Sequence, residues 1–226
     1  MKKLSIAIDG PAGAGKSSVS KILAARLGYA YLDTGAMYRA VTYEALEKKL
    51  SDETAISDMA GKLDMEVIPK EDTMHVIVDG KDVTPYIRTP EVSSHVSAVS
   101  AIAGVRTAMT AIQRKLGEKG GIVLDGRDIG TTVLPHADVK IFLTASVHTR
   151  AIRRFKELTE GHPDMTMEDV EKEISRRDYL DSHRDISPLK QAEDAILLDN
   201  GDLTLEGTAE AIISICHRKY PDFDKA

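Results

Sequence analysis

The octapeptide from Gly10 to Ser17, GPAGAGKS, combines residue types and a spacing that suit phosphate chemistry. Its three glycines allow successive backbone N–H groups to converge on one anion without side-chain clashes. Lys16 can reach the β- and γ-phosphates of a nucleoside triphosphate, and the Ser17 hydroxyl can ligate Mg²⁺. The residues predicted to bind the triphosphate are Gly10, Pro11, Ala12, Gly13, Ala14, Gly15, Lys16, Ser17 and Ser18.

The elements on either side of this loop favour the same interpretation. Leu4–Ile8 is a short apolar run typical of a buried strand, and the residues after the loop predict a helix at Lys16–Leu27. The N-terminus of such a helix offers unpaired N–H groups and the positive end of its dipole to the anion. A glycine-rich turn with a solvated Lys16 is the alternative, but the order strand, loop, helix is the context that a phosphate loop needs.

The composition narrows the classes of function. A chain of 226 residues fits a single unit, 1–226, with room for insertions, and a net charge of −6 argues against a nucleic-acid partner. A single cysteine, Cys216, excludes an internal disulfide framework. Since no apolar run approaches the length of a membrane span and no secretory leader is evident, we expect a cytoplasmic protein without a membrane partner.

Strand and helix candidates alternate along the chain, which predicts an α/β fold with a parallel sheet covered on both faces. The predicted core strands are Leu4–Ile8, Tyr29–Leu32, Ile122–Leu124, Val139–Leu143 and Ala195–Leu198. The predicted helices are Lys16–Leu27, Ala36–Leu50, Pro90–Ile102, Val105–Lys119, Ser146–Glu160, Met167–Arg184 and Leu205–Tyr220.

One segment breaks this alternation. Met65–Ile68 and Met74–Val78 predict two strands, and a tight turn at Asp79 and Gly80 leads to a third at Asp82–Thr84. The pattern indicates a small antiparallel insertion at about 61–85, for which a surface flap without function is the alternative. The core then comprises about 1–60, 86–147 and 186–226.

Two further loops after predicted strands carry side chains that suit a second anion. Thr34 and Arg39 follow the second core strand, and Arg127 and Asp128 follow the third. Open α/β sheets bind ligands outside the carboxyl ends of their strands, and guanidinium groups suit bidentate phosphate binding. Each arginine alone could be a surface ion pair, but their shared position predicts a second phosphate site facing the glycine loop.

The predicted helix Met167–Arg184 has one face that is apolar at its start and charged at its end. Its apolar positions give way to Arg177, Asp181 and Arg184 at spacings of four and three residues, so all three side chains share the face that begins apolar. An exposed ion pair is the alternative. If the apolar half of this face packs on the core, the charged half also points inward, and buried charges without a ligand would be costly, so we expect the arginines to lie beside a ligand. With the polar loop Thr159–Asp164, the region at about 148–185 is expected to form a lid over transferring phosphates.

Several distinctive motifs occur in one order across nearly the whole chain. They are IDGPAGAGKSS (Ile8–Ser18), LDTGAMYR (Leu32–Arg39), IRTPEV (Ile87–Val92), DGRDIG (Asp125–Gly130) and RDYLDSHR (Arg177–Arg184). In these motifs the chain resembles the bacterial cytidylate kinases, a branch of the nucleoside monophosphate kinase family of P-loop kinases. The resemblance implies a three-layer P-loop NTPase-type fold with a five-stranded parallel sheet, a small antiparallel insertion and a helical lid.

The resemblance also implies an activity and a set of site residues. The activity is transfer of a phosphoryl group from ATP to CMP and dCMP, with Mg²⁺ as cofactor, in a chain that we expect to be a monomer. The residues implied for the CMP site are Thr34, Arg39 and Arg127 at the phosphate, Ser97, Arg106 and Asp128 at the cytosine, and Asp181 at the ribose. The residues implied in catalysis are Lys16, Arg127, Arg177 and Arg184, and the residue implied at the metal is Ser17.

Three alternatives stay open at this point. The first is a nucleoside monophosphate kinase that prefers UMP. The C4 carbonyl of uracil would face the Asp128 carboxylate, whereas cytosine offers an amino donor at that position. A kinase for shikimate or a sugar acid would not need residues that read a base. A nucleotide-dependent switch of the GTPase type would need a guanine-reading N-K-x-D motif, which the sequence lacks.

Overall fold

The alternating apolar segments form a parallel sheet in the computed structural model, which describes residues 2–70, 73–158 and 166–223. The strands in chain order are β1 (Ser5–Asp9), β2 (Ala30–Asp33), β3 (Met65–Lys70), β4 (Thr73–Val78), β5 (Lys81–Asp82), β6 (Ile122–Gly126), β7 (Val139–Thr144) and β8 (Ile196–Asp199). Five of them pair in the order β2-β6-β1-β7-β8, all in parallel. The predicted five-stranded sheet is confirmed.

The strand register brings the chemically important loops to one edge of this sheet. Asp9 at the end of β1 pairs with Gly126 at the end of β6, and Asp33 at the end of β2 pairs with Asp125. Because parallel strands end at the same edge, the glycine loop and the two predicted anion-binding loops start within neighbouring strands.

Helices cover both faces of the sheet and give three layers. Their bounds are α1 (Lys16–Leu27), α2 (Thr34–Glu47), α3 (Glu53–Lys62), α4 (Pro90–Ala101), α5 (Ala103–Gly117), α6 (Val147–Leu158), α7 (Met167–His183) and α8 (Leu205–Lys219). One apolar cluster joins the sheet to α1 and α8, and another joins it to α2, α3, α4 and α5. Among the described residues no helix combines the length and apolar character needed to cross a membrane.

The helix α3 was not predicted from the sequence. Asp52 caps it by accepting a hydrogen bond from the Ala55 N–H, but only Ile56 and Ala60 are buried along its ten residues. With so narrow an apolar face, the periodicity that reveals a surface helix is weak. The other predicted helix ends agree with the observed ends or differ from them by up to three residues, which is the usual uncertainty of a frayed end. The predicted end at Glu160 lies outside the described residues.

The inserted segment forms the predicted antiparallel sheet, β3-β4-β5. Asp79 and Gly80 adopt φ angles of 49° and 78° in the tight turn between β4 and β5. Val76 and Val78 are fully or almost fully buried within the same cluster as α2, so the insertion packs on the core. Part of the predicted connection from Lys70 to Thr73 lies outside the described residues.

The helices α6 and α7 pack on each other around a small apolar cluster of Ala151, Val170 and Ile174. A capping box begins α7, since the Thr166 and Asp169 side chains each bind the backbone of the other residue. The predicted polar loop Thr159–Asp164 lies outside the described residues. The two helices together form the arm that lies across the cleft described below.

Candidate active site

The glycine loop connects β1 to α1 and its backbone requires glycine at two tight points. Gly10 adopts φ 152°, and a Cβ there would lie 2.0 Å from the carbonyl oxygen of Leu143. Gly13 adopts φ 73°, and a Cβ there would lie 3.1 Å from the carbonyl oxygen of Arg150. The N-cap of α1 is Gly15 and no side chain caps the helix, so its first-turn N–H groups are left for an anion.

Lys16 is buried and its ammonium donates a hydrogen bond to the Pro11 carbonyl oxygen at 2.7 Å. Burial and the nearby Arg127 guanidinium lower the pKa of Lys16 to about 7, although Asp125 and other carboxylates oppose the shift. The lysine is therefore poised between its neutral and charged forms near neutral pH. A phosphate beside it would favour the charged form and raise the pKa again.

This perturbed lysine predicts proton uptake when a triphosphate binds. At pH 8 the ligand-free Lys16 is largely neutral, because its pKa of about 7 lies below that pH. Binding of a non-hydrolysable ATP analogue should raise this pKa and so take up as much as about one proton per site. Calorimetric titration in buffers of different ionisation enthalpy measures this number. Lys16→Met should abolish the uptake, and an unchanged uptake in the variant would assign it to another group.

Asp125 connects the glycine loop to the predicted second anion site. Its carboxylate accepts hydrogen bonds from the Ser17 hydroxyl at 2.8 Å and from the Tyr31 hydroxyl at 2.9 Å. Its carbonyl oxygen accepts one from the Thr34 hydroxyl at 2.7 Å. Burial and the neighbouring Asp33 raise the pKa of Asp125 to about 6, despite the opposing charge of Lys16. The sequence analysis did not assign Asp125 a role.

A second acidic group organises the predicted acceptor arginines. Asp33 caps α2 by accepting a hydrogen bond from the Ala36 N–H at 2.9 Å. Its other oxygen lies 3.0 Å from Nη2 of Arg39 and 3.0 Å from Nη2 of Arg88. Burial alone would raise the pKa of Asp33, but the two guanidinium groups outweigh it and hold the pKa below its usual range. Arg88 stands in the motif Ile87–Val92, yet the sequence analysis gave it no role.

The residues predicted to read the base form a buried charged group. Arg106 pairs with Asp128 through Nη2 and donates from Nη1 to the Ser100 carbonyl oxygen at 3.1 Å. Arg184 approaches the other carboxylate oxygen of Asp128 at 3.4 Å. Ser97 lines the cleft beside them from α4. The side chains of Arg106, Asp128 and Arg184 are at most 7% exposed, so their charges act in a region with little water.

The charged face of α7 points into the cleft, as its spacing predicted. Asp181 accepts a hydrogen bond from Nε of Arg127 at 2.8 Å. Arg127 and the other nearby arginines hold the pKa of Asp181 below its usual range against the opposing effect of burial. Burial and the charge of Arg127 lower the pKa of Arg177, which shows how concentrated the positive charge is here.

Three of these arginines keep a donor that is buried and unpaired. Within the described part of the chain, Nε of Arg39, of Arg106 and of Arg177 has no hydrogen-bond partner. A buried donor without a partner is costly, and such groups in native proteins usually mark a ligand or water that completes them. The unpaired donors therefore indicate that the cleft is built to receive hydrogen-bond acceptors.

Asp9 holds the turn that directly follows Asp128. Its two carboxylate oxygens accept hydrogen bonds from the N–H groups of Ile129 and Gly130 at 2.8 Å and 2.7 Å. Those residues begin a single π-turn, Ile129–Val133, directly after Asp128. This role of Asp9 could not be predicted from the sequence, since about 120 residues separate Asp9 from its partners.

The predicted site residues converge on one cleft with a volume of about 500 Å³. Those that line it are Ala12, Gly13, Gly15, Lys16, Ser17, Ser18, Thr34, Arg39, Ser97, Arg106, Arg127, Asp128, Arg177, Asp181 and Arg184. Three others support the loop from behind: Gly10 packs on Leu143, Pro11 binds Lys16, and the carbonyl of Ala14 accepts a hydrogen bond from Asn200 at 3.0 Å. The cleft thus joins the glycine loop to the predicted second anion site.

The fold and the cleft define a P-loop kinase architecture, and solved structures with the same fold agree. Shikimate kinase from Acinetobacter baumannii in complex with shikimate aligns with a TM-score of 0.50 at 18% identity, covering 97% of this chain and 96% of that one. The shikimate kinase from Bacteroides thetaiotaomicron aligns with a TM-score of 0.50 at 12% identity, covering 96% and 99%. At these identities the likeness concerns the fold alone.

The sequence places the chain more narrowly. The family model described as Cytidylate kinase matches residues 6–218, and the chain belongs to this family. A protein named cytidylate kinase from Ligilactobacillus salivarius (strain UCC118) is 52% identical over 221 residues, which is 97% of this chain and 99% of that protein. Another of that name from Bacillus subtilis (strain 168) is 50% identical over 220 residues, 96% and 98% of the two chains. The resemblance drawn from the motifs is confirmed.

Proposed function

We propose that this protein transfers the terminal phosphoryl group of ATP to CMP and dCMP and releases ADP with CDP or dCDP. The observation that carries the proposal is the single cleft in which the glycine loop faces buried arginines with unpaired donors and the carboxylate of Asp128. Membership of the cytidylate kinase family supports the choice of substrate. A cytoplasmic location and a monomeric state stay predictions.

The phosphate of CMP would lie opposite the glycine loop. Thr34, Arg39 and Arg127 are proposed to hold it, with Arg88 as an addition that the geometry suggests. Asp33 now neutralises Arg39 and Arg88 at 3.0 Å each, so it keeps both guanidinium groups in place before the substrate arrives. An entering phosphate would meet the unpaired Nε of Arg39 without displacing that ion pair.

The cytosine and ribose would lie on the far side of this phosphate. Asp128 can accept a hydrogen bond from the N4 amino group of cytosine, and Arg106 and Ser97 would complete the recognition of the base. Asp181 is proposed to hold the ribose, for which its pairing with Arg127 leaves one carboxylate oxygen. Uracil would present a carbonyl oxygen to Asp128, and a buried carboxylate facing that oxygen would be unfavourable.

The residues beside the glycine loop fit a magnesium ion bound together with the triphosphate. Mg²⁺ usually takes one or two protein oxygen ligands, keeps several waters and binds substrate phosphates. Ser17 and Asp125 offer a hydroxyl and a carboxylate within 2.8 Å of each other, whereas the described residues contain no cluster of three or more ligating side chains. When bound, the ion would neutralise phosphate charge and orient the triphosphate.

The reaction needs positioned cations more than a base. The acceptor is a phosphate oxygen that is already anionic, so it can attack the γ-phosphorus of ATP in line with the leaving ADP oxygen without losing a proton. Lys16 and Arg127 would stabilise the transferring group from the body of the cleft, and Arg177 and Arg184 from α7. The arm formed by α6 and α7 would thereby act as the lid within the region 148–185. The insertion at 61–85 would shape the acceptor site on the core 1–60, 86–147 and 186–226.

A coupled assay of ADP release with a panel of acceptors tests this proposal. With ATP and Mg²⁺ the expected order of kcat/KM is CMP and dCMP well above UMP, AMP and shikimate, and ATP turnover without an acceptor should be negligible. Equal turnover with and without CMP would indicate a nucleotide hydrolase or switch. A clear preference for UMP or AMP would remove the cytosine assignment while keeping the phosphotransferase.

A further inference from the structure

An ion pair behind the substrate cleft ties α6 and α7 to the glycine loop. Nη1 of Arg150 lies 2.6 Å from a carboxylate oxygen of Asp178 and donates to the Ala12 carbonyl oxygen at 2.8 Å. Nε of Arg150 donates to the Ala145 carbonyl oxygen at 2.9 Å. The other oxygen of Asp178 accepts a hydrogen bond from the Ala12 N–H at 3.1 Å. Both backbone polar groups of Ala12 are therefore held by the two helices.

The backbone next to Ala12 also lies directly on these helices. A Cβ on Gly13 would come within 3.1 Å of the Arg150 carbonyl oxygen and 3.5 Å of Cδ1 of Ile174. The side chain of Arg150 is only 5% exposed and that of Asp178 is 21% exposed, so water screens their interaction weakly. Charge-assisted hydrogen bonds in such surroundings are short and direction-dependent, which suits them to fix a position.

Apolar packing alone does not set the position of the two helices on the core. Their buried apolar residues, Ala151, Val170 and Ile174, form a cluster of their own that is separate from the two large clusters on the sheet. This cluster holds α6 to α7. The polar contacts of Arg150 and Asp178 with Ala12 therefore fix the position of α6 and α7 relative to the glycine loop.

We propose that Asp178, acting through Arg150 and Ala12, is a positioning residue that sets the depth at which Arg177 enters the cleft. The inference rests on the proposed phosphoryl transfer. Arg177 directly precedes Asp178 on α7, and one turn later Asp181 binds Arg127 on the acceptor side. The helix is thus fixed to the donor loop at Asp178 and to the acceptor site at Asp181, and Arg177 directly adjoins the first of these two points.

The isosteric variant Asp178→Asn tests this role. It keeps an acceptor for the Ala12 N–H but removes the charge that pairs with Arg150. We expect kcat for CMP to fall about 10-fold, the effect of weakening one charge-assisted hydrogen bond from Arg177 to the transferring phosphoryl group. The KM for CMP should stay unchanged. Glu168→Gln is the matched control, because Glu168 lies exposed on the same helix with an ion pair to Lys172; its kcat should not change.

A double-variant cycle separates positioning from a general loss of stability. Arg150→Met should lower kcat similarly, and Asp178→Asn combined with Arg150→Met should cost no more than the larger single loss, because the two residues act as one unit. Losses that multiply, an increase of KM alone, or a kcat loss that matches the unfolded fraction in thermal denaturation would each overturn the inference. If the unaltered protein fails to phosphorylate CMP, the proposed function fails instead.

Discussion

Replacing Lys16 with methionine should lower kcat for CMP phosphorylation by about 10³-fold, the loss expected when one preorganised charge donor is taken from a transition state. Lys16 is the buried cation at the centre of the glycine loop, and its ammonium is held by the Pro11 carbonyl at 2.7 Å. Methionine keeps the length and apolar stem of the side chain, so the main change is the missing charge. Steady-state and single-turnover rates with saturating ATP and CMP measure the effect.

The control for this variant is Lys172→Met. Lys172 lies exposed on α7 and pairs with Glu168, so its replacement removes one positive charge outside the cleft. The activity of this control should match that of the unaltered protein. A Lys16→Met enzyme that retains more than about a tenth of kcat would contradict a transition-state role, since that corresponds to less than about 1.4 kcal/mol.

The glycine loop illustrates what local sequence can predict. Its pattern spans eight residues, and the residue types that define it are explained by local geometry and chemistry, without knowledge of the rest of the chain. The predicted bounds of the following helix, Lys16–Leu27, agree with the structure. The five core strands were also predicted, because short apolar runs that alternate with predicted helices are typical of buried parallel strands. The Arg177–Arg184 face could be assigned since helical periodicity fixes which side chains point together.

The contacts that organise the site could not be predicted in this way. Asp125 meets Ser17 across 108 positions of sequence, and Asp9 meets Gly130 across 121. Such pairs depend on which strands become neighbours, and a single sequence does not state the strand order. Asp178 stands within the motif Arg177–Arg184, yet its contact with Ala12 depends on how α7 lies over the loop. The roles of the individual site residues remain proposals that mutation must test.

The structure explains why several acidic residues accompany the arginines. Without carboxylates, the guanidinium groups that line the cleft would repel one another before any substrate bound. These groups belong to Arg39, Arg88, Arg106, Arg127 and Arg184. In the described chain each of these groups pairs with a carboxylate: Asp33, Asp128 or Asp181. Preorganised ion pairs hold the guanidinium groups in place, so less entropy is lost when phosphates arrive. The acidic residues would thereby support the proposed anion site.

Asp128→Asn should lower the discrimination between CMP and UMP by about 10²-fold or more, because a site that pairs a substrate N–H with a buried acceptor rejects the mismatched base strongly. The asparagine amide can turn its NH₂ group toward the C4 carbonyl of uracil, so kcat/KM for UMP should rise while that for CMP falls. The isosteric change leaves an oxygen for Arg106, which limits the damage to the buried group that also includes Arg184.

The ratio of kcat/KM for CMP to that for UMP is the measurement, and Asp185→Asn is its control. Asp185 follows Arg184 directly but is exposed, so the control removes a carboxylate near α7 without entering the base site. An unchanged ratio in Asp128→Asn would remove Asp128 from base recognition. Equal losses for both substrates would mean that Asp128 acts by holding Arg106 and Arg184 for catalysis. A changed preference therefore identifies base reading, because a residue that only stabilises the fold or holds the catalytic arginines would not distinguish an amino group from a carbonyl at C4.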